Sequence, residues 1–264
     1  MSDHSDSQLA PTPGGRATEF SKRPDVRRTG VLFILWTALF TFLGLWLYPK
    51  FMPRIMSKEM QSAENIMVWF TVISAPIAGL VLAMTTNSFL NRHRGDTPPE
   101  DGPAVRTNGP VVVVWTIAST VFALVAIVWG IVELNVQSVE AASTAKSAMV
   151  VEVTGSQWLW TFKYPEQNIE THVLNLPIDR PVIFDVKSAD VNHSFWPVQL
   201  GVKVDANAMV TTVVHTTPNK LGVIDVKCAE LCGLYHAYME TTGQVMAQSD
   251  FDAWVTKVQS GASE

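Results

Sequence analysis

Three long stretches of the chain are apolar around the whole helical period rather than along one face. Residues 30–48, 66–90 and 110–132 contain no charged side chain. A hydrocarbon core about 30 Å thick is crossed by ~20 helical residues rising ~1.5 Å each, so every stretch predicts a transmembrane helix. A helix of that length in a soluble core would keep a polar stripe. Trp46 and Tyr48 suit an interfacial position at the end of the first span, and Pro76 predicts a kink in the second. Leu47-Tyr48-Pro49-Lys50 is not a small-residue cleavage site, so the first span reads as a retained helix rather than a signal peptide.

From Met149 the pattern shortens to β-type segments. Candidate strands are 150–153, 158–164, 182–186, 210–215 and 223–227, with Pro165, Pro177, Pro181 and Pro218 between or beside them. His193 lies in a further strand-like stretch, 191–196. Short strands at this spacing predict an all-β sandwich or barrel. A closing helix is expected over 250–258, capped by Ser249 or Asp250. Residues up to about 25 read as a disordered tail, 95–102 as a polar turn, and 135–147 as a linker or the exposed end of the third helix.

Composition agrees with membrane spans: of 264 residues, 47% are hydrophobic and only 16% charged. The basic residues set the orientation. Arg16, Lys22, Arg23, Arg27 and Arg28 precede the first span, and Arg92, Arg94 and Arg106 follow the second; only Lys50, Arg54 and Lys58 follow the first. The positive-inside rule then puts the N-terminus in the cytoplasm and, after three crossings, the β part outside the cell membrane. From Glu133 onward there are 15 acidic and 8 basic residues, a formal net charge of −7. That balance serves solubility or steers a basic partner, and no nucleic-acid partner is expected.

The chemistry is concentrated in one run, Cys228-Ala-Glu230-Leu-Cys232-Gly-Leu-Tyr-His236-Ala-Tyr-Met239, which holds both cysteines of the chain. Thiolate, imidazole and a weak thioether form the donor set of soft copper sites. Two bridging cysteines would leave each of two coppers needing one nitrogen and one weak ligand. His193 and His236 can supply the nitrogens, and Met239 and a loop carbonyl such as that of Glu230 the weak ligands. An exported cysteine pair is also the pattern of a disulfide, which gives His236 and Met239 no role. Zinc would prefer four Cys or His ligands, and a blue-copper site uses a single Cys.

These residues resemble the copper-A domain of cytochrome c oxidase subunit II. Gly155-Ser-Gln-Trp158-Leu-Trp160 is similar to the family's aromatic motif, Asp190-Val-Asn-His193-Ser-Phe-Trp to its first ligand motif, and Gly201-Val-Lys-Val-Asp205-Ala follows as in the family. The second and third apolar spans resemble its transmembrane hairpin, with Trp115-Thr116-Ile117 in place. The resemblance implies that a cupredoxin-like Greek-key barrel follows the three transmembrane spans. The chain divides accordingly into a cytoplasmic tail (1–28), an extra transmembrane helix (29–48), a transmembrane hairpin (65–133) and an extracytoplasmic copper-A domain (134–264). It implies binuclear copper A, with Cys228 and Cys232 bridging, His193 and Met239 on one copper, and His236 and the Glu230 carbonyl on the other. The Glu230 side chain would reach a magnesium site shared with subunit I. Trp158 would be the point where cytochrome c or another small donor delivers electrons, for passage to haems held in subunit I. There O2 is reduced to water with proton translocation. The implied partners are subunit I, the other oxidase subunits, the donor and membrane lipid.

The chain departs from the family at several places. It carries an extra first helix. Val112 stands where a glutamate near a proton channel is common, which leaves a contribution to proton entry open. Asn207-Ala-Met209-Val210 replaces the usual loop after Asp205-Ala, and Ser156 and Leu159 flank Trp158 in place of a common His and Tyr. Without the motif Trp158 reads as a barrel-core aromatic, as Trp160 does. Glu166, Glu170, Asp179 and Asp190 read as solvated charge that could also meet a basic cytochrome. His172 and His215 read as structural or exposed, and His93 as a surface residue. No Cys-x-x-Cys-His haem attachment occurs. Quinol oxidase second subunits lack the copper cysteines. Two alternatives remain: a copper-A subunit of a nitric oxide reductase, and a membrane-anchored copper-delivery protein.

Overall fold

The computed structural model describes residues 24–91 and 108–261. The expectations for the tail before residue 24, for the turn over 95–102 and for His93 fall outside the described residues, as do Arg16, Lys22, Arg23, Arg92, Arg94 and Arg106. The chain forms two compact units, Met1–Met52 with Ile66–Pro103, and Pro53–Asn65 with Ala104–Glu264.

The first unit contains α1 (Pro24–Phe51) and most of α2 (Lys58–Leu90). The two helices meet through polar groups set among apolar ones. Trp36 Nε1 donates to Thr86 Oγ1 at 3.2 Å, and Arg28 donates to Asn91 Oδ1 at 3.1 Å. Pairs of this kind hold helices together where apolar contact alone gives no preference over lipid. Pro76 lies inside α2.

In the second unit, α3 (Gly109–Thr144) opens with a proline in its first turn, and Asn108 caps it by accepting the Val111 amide at 3.3 Å. Among the described residues, three helices are long and apolar enough to cross a membrane: Val26–Phe51, Lys58–Leu90 and Gly109–Val136. The helix α3 continues to Thr144, so most of 135–147 is its exposed end rather than a separate linker.

Ten strands follow: β1 (Met149–Ser156), β2 (Leu159–Tyr164), β3 (Ile169–Thr171), β4 (Leu174–Pro177), β5 (Val182–Ser188), β6 (His193–Pro197), β7 (Val204–Ala206), β8 (Thr212–Thr216), β9 (Gly222–Cys228) and β10 (Glu240–Met246). They build two five-stranded sheets, ordered β3-β2-β1-β5-β8 and β4-β10-β9-β6-β7. The pairs β1–β5 and β4–β10 are parallel and the rest antiparallel. This is the expected all-β domain, built from two sheets. Alternation along the strands gives each sheet one apolar face. Met149, Val151 and Val153 in β1 and Val182, Phe184 and Val186 in β5 are fully buried, with the residues between them half-buried or exposed. Phe195 from the other sheet enters this layer, its ring centroid 5.1 Å from Phe184 and 5.6 Å from Trp160. A closing helix, α4 (Gln248–Gln259), buries Phe251 and Val255. Its N-cap is Ala247, with no side-chain bond, not Ser249 or Asp250, because α4 starts directly after β10.

Residues 53–65 belong to this unit as a strap. Met56 and Met60 are buried, the Met56 amide donates to the Gln199 carbonyl at 3.1 Å, and its carbonyl accepts from Asn219 at 2.8 Å. Ser57, fully buried, donates to the Leu200 carbonyl at 2.6 Å and accepts the Met60 amide at 3.0 Å, capping α2. Glu59 accepts from Thr216 Oγ1 at 2.9 Å. Gly201 permits the approach: its φ is +65°, and a Cβ there would lie 2.5 Å from Met60 Cα.

Candidate metal centre

Two β-sheet positions and one loop supply the donors. His193 is the first residue of β6 and is wholly buried; Cys228 is the last of β9. The β6–β9 pairing places Phe195 opposite Cys228, which brings both donors to the same end of the sheet. The ligand loop, 229–239, then runs through a 3-10 turn at His236–Tyr238 and returns to β10. Its base is closed by Cys228 N–H to the Met239 carbonyl at 3.1 Å and Ala229 N–H to the Ser194 carbonyl at 2.9 Å.

All six expected donors converge. The two Sγ atoms are 3.7 Å apart. Cys228 Sγ lies 3.8 Å from His193 Nδ1 and 3.2 Å from the Glu230 carbonyl oxygen. Cys232 Sγ lies 3.5 Å from His236 Nδ1 and 3.7 Å from Met239 Sδ. Ligand atoms of His193, Cys228 and Cys232 are mutually within 4.8 Å, close enough to hold a metal ion. Both thiols are free, and their separation is far from the ~2.05 Å of a disulfide. Cys228, Cys232, His193 and Met239 are buried, while His236 is half-buried and the Glu230 side chain exposed. Two buried thiols, two imidazole nitrogens and a thioether suit copper, and the thioether suits zinc poorly.

The surroundings prepare these donors. His193 Nε2 is 2.8 Å from Asp190 Oδ1, so the ring's other nitrogen, Nδ1, faces the thiols. Asp190 also accepts the amides of Val191 and Gln157, each at 2.7 Å. Burial raises the Asp190 pKa, but the hydrogen bonds from His193, Gln157 and Val191 and the charge on His193 outweigh it and hold the carboxyl below its ordinary value. Burial, followed by the hydrogen bond and charge of Cys228, pushes the Cys232 thiol up to about 11. Metal binding at Cys232 therefore has to release a proton that this environment retains. Gly155 leaves room for the imidazole: a Cβ there would come within 3.0 Å of both His193 Cδ2 and Trp160 Cζ3.

Trp158 lies outside β2, in the two-residue turn after β1, half-buried against the ligand loop. Trp160 is a buried core residue, edge-on to His193 with ring centroids 6.0 Å apart. Asp190 is more than solvated charge: it is the hydrogen-bond partner of His193. The available signal is its place three residues before a ligand histidine, whose second nitrogen normally needs an acceptor. Gln157 was also missed; its side chain donates to the Cys232 carbonyl at 2.7 Å. Glu166 pairs with Arg180 at 2.6 Å. His172 lies 3.0 Å from the Trp160 carbonyl, and His215 sits within β8; neither belongs to the centre.

Residues 168–246 match the family model "Cytochrome C oxidase subunit II, periplasmic domain". The chain is 31% identical to quinol oxidase subunit 2 of Bacillus subtilis over 70% of its own length and 59% of that protein's. It is 26% identical to cytochrome c oxidase subunit 2 of Synechocystis, over 85% of this chain and 81% of that one. A solved structure, the periplasmic domain of subunit II of cytochrome oxidase from Bradyrhizobium japonicum, is similar at 25% identity with a TM-score of 0.42, covering 44% of this chain and 97% of that one. The chain thus spans about three fifths of the length of the quinol oxidase subunit. The segment that matches the family model contains β3 to β10.

Proposed function

We propose that this chain, whose residues 168–246 match the model of the cytochrome c oxidase subunit II periplasmic domain, is the electron-entry subunit of a respiratory haem–copper terminal oxidase. It takes electrons from a cytochrome c or another small donor and passes them to haem in subunit I, where O2 is reduced to water with proton translocation. The observation that carries this reading is the convergence of Cys228, Cys232, His193, His236, Met239 and the Glu230 carbonyl at one end of a rigid β scaffold. The donor set fits copper: Cys228 and Cys232 would be shared by two coppers, with His193 and Met239 holding one and His236 and the Glu230 carbonyl the other. A bound pair supplies a one-electron couple whose charge is shared over both metals.

The chain's own residues do the rest. Asp190 holds the His193 ring in the tautomer that presents Nδ1. The buried walls around Cys232 and Met239 exclude water, and the sheet limits ligand movement when charge changes. Trp158, next to the ligand loop, is the entry point for the electron. The Glu230 side chain, which is exposed, would reach a magnesium ion shared with subunit I. The basic-residue asymmetry puts the N-terminus in the cytoplasm and the copper domain outside.

Copper-loaded full-length protein should bind two coppers per chain and give an electron-spin spectrum with one unpaired electron shared over both nuclei. One copper per chain, or a localised spin, overturns the assignment. Cys228→Ser should abolish the shared cluster, and Trp158→Phe should slow reduction by the donor while leaving copper content intact. Relatives named quinol oxidase subunit 2 make quinol the second candidate donor; a copper-free complex that oxidises quinol at full rate would establish that reading instead.

A further inference from the structure

The Trp158 indole is held in an unusual way for a tryptophan at a hairpin tip. Its Nε1 is buried and has no hydrogen-bond partner among the described residues, so packing alone fixes the ring's angle. Three neighbours do this, all from the ligand loop or tied to it. Gly233 lies under the ring: a Cβ there would sit 3.4 Å from Cζ2 and 3.5 Å from Nε1. The preceding residue, Gln157, is anchored to the Cys232 carbonyl. Tyr235 meets the indole edge-on, with ring centroids 4.7 Å apart and planes at 83°. That arrangement is the one aromatic quadrupoles favour, at the near end of the usual range of about 4.5–7 Å.

Tyr235 is half exposed and adjoins His236 in sequence. Its ring contacts, with Trp158 and more distantly Tyr238 at 6.5 Å, lie on the outside of the loop. The core is packed without it. Removing it therefore leaves the β domain and the six donors in place but frees the indole on its open side.

We propose that Tyr235 is the positioning residue for electron entry: its ring edge fixes the Trp158 indole against the ligand loop at the residue next to His236. This rests on the entry role of Trp158 given above. One electron leaves the donor's ferrous haem, which becomes ferric, and one arrives at the oxidised metal site. No bond forms or breaks at Trp158 or Tyr235, and no proton is exchanged. Tyr235 acts through the placement of the indole, so it should change the speed of transfer within the encounter complex and not the affinity of the encounter.

The test is stopped-flow reduction of the copper-loaded, full-length protein by reduced mitochondrial-type cytochrome c, over a range of donor concentrations. Tyr235→Leu should lower the limiting rate on the order of tenfold, as a small misplacement of a reacting group does, with the half-saturating concentration unchanged. Tyr235→Phe keeps the ring edge and should stay within about twofold of the parent. Copper content and the copper absorption spectrum should be the same in all three. A parent-like rate for Tyr235→Leu, an equal loss in both variants, or a loss that disappears at saturating donor overturns the proposal. Trp158→Phe is measured beside them. If it leaves the rate unchanged, the entry point itself is wrong and this inference falls with it; if it slows reduction and Tyr235→Leu does not, only the role of Tyr235 is lost.

Discussion

Asp190 shows how one side chain governs several others. It fixes the His193 ring, and through the Gln157 amide it also ties down the turn that carries Trp158. Asp190→Ala should weaken copper affinity by about 10- to 100-fold, the usual effect of removing the hydrogen-bond partner of a metal-bound histidine. Chelator competition would measure this, with the far-UV circular dichroism unchanged. Affinity equal to the parent would mean that burial alone orients His193. At this scale the sequence was readable where residue type carries the chemistry. Cys228, Cys232, His236 and Met239 announce themselves by spacing, because a short loop forces them together. Asp190 and Gln157 did not, since an aspartate or glutamine before a ligand motif looks like any solvated polar residue. Their role depends on the β1–β2 turn folding over the loop between β5 and β6, a contact between residues 33 positions apart.

Among the elements, the strap over 53–65 has the clearest energetic consequence. Ser57 satisfies the Leu200 carbonyl and the Met60 amide at a fully buried position. Ser57→Ala would leave both without that partner and should cost the β domain about 1–3 kcal/mol, seen as a lower unfolding midpoint with copper content unchanged when folded. A midpoint equal to the parent would show that the strap adds nothing to the domain. The apolar alternation of β1, β5 and β9 was legible, as were the three spans. The strands β3, β4, β7 and β10 were not. Glu240-Thr-Thr-Gly-Gln-Val-Met is polar at most positions, and what makes it a strand is its place between β9 and β4, which satisfies its backbone on both sides. Trp158 was expected inside a strand because aromatic residues favour strands. It lies in the turn because Ser156 pairs with Leu159, leaving only two residues to reverse the chain.

For the whole molecule, the strap is also a statement about the membrane. Residues 53–65 and the sheets belong to one compact unit, although α2 and α3 separate them in sequence. Whichever side of the membrane receives the β domain must also receive the strap, so α2 and α3 cross as a pair. Arg54 is exposed on the strap. Arg54→Cys should therefore react with a membrane-impermeant thiol reagent added to intact cells, where the parent, with both of its cysteines buried, stays unlabelled. Labelling only after the cells are opened would reverse the orientation. The same contact sets an order of events during synthesis. Ser57 meets Leu200, a residue 143 positions later in the chain. The strap is thus the first piece of the domain to leave the ribosome. Its methionines must then wait, unpaired, until nearly the whole sheet has been delivered behind them.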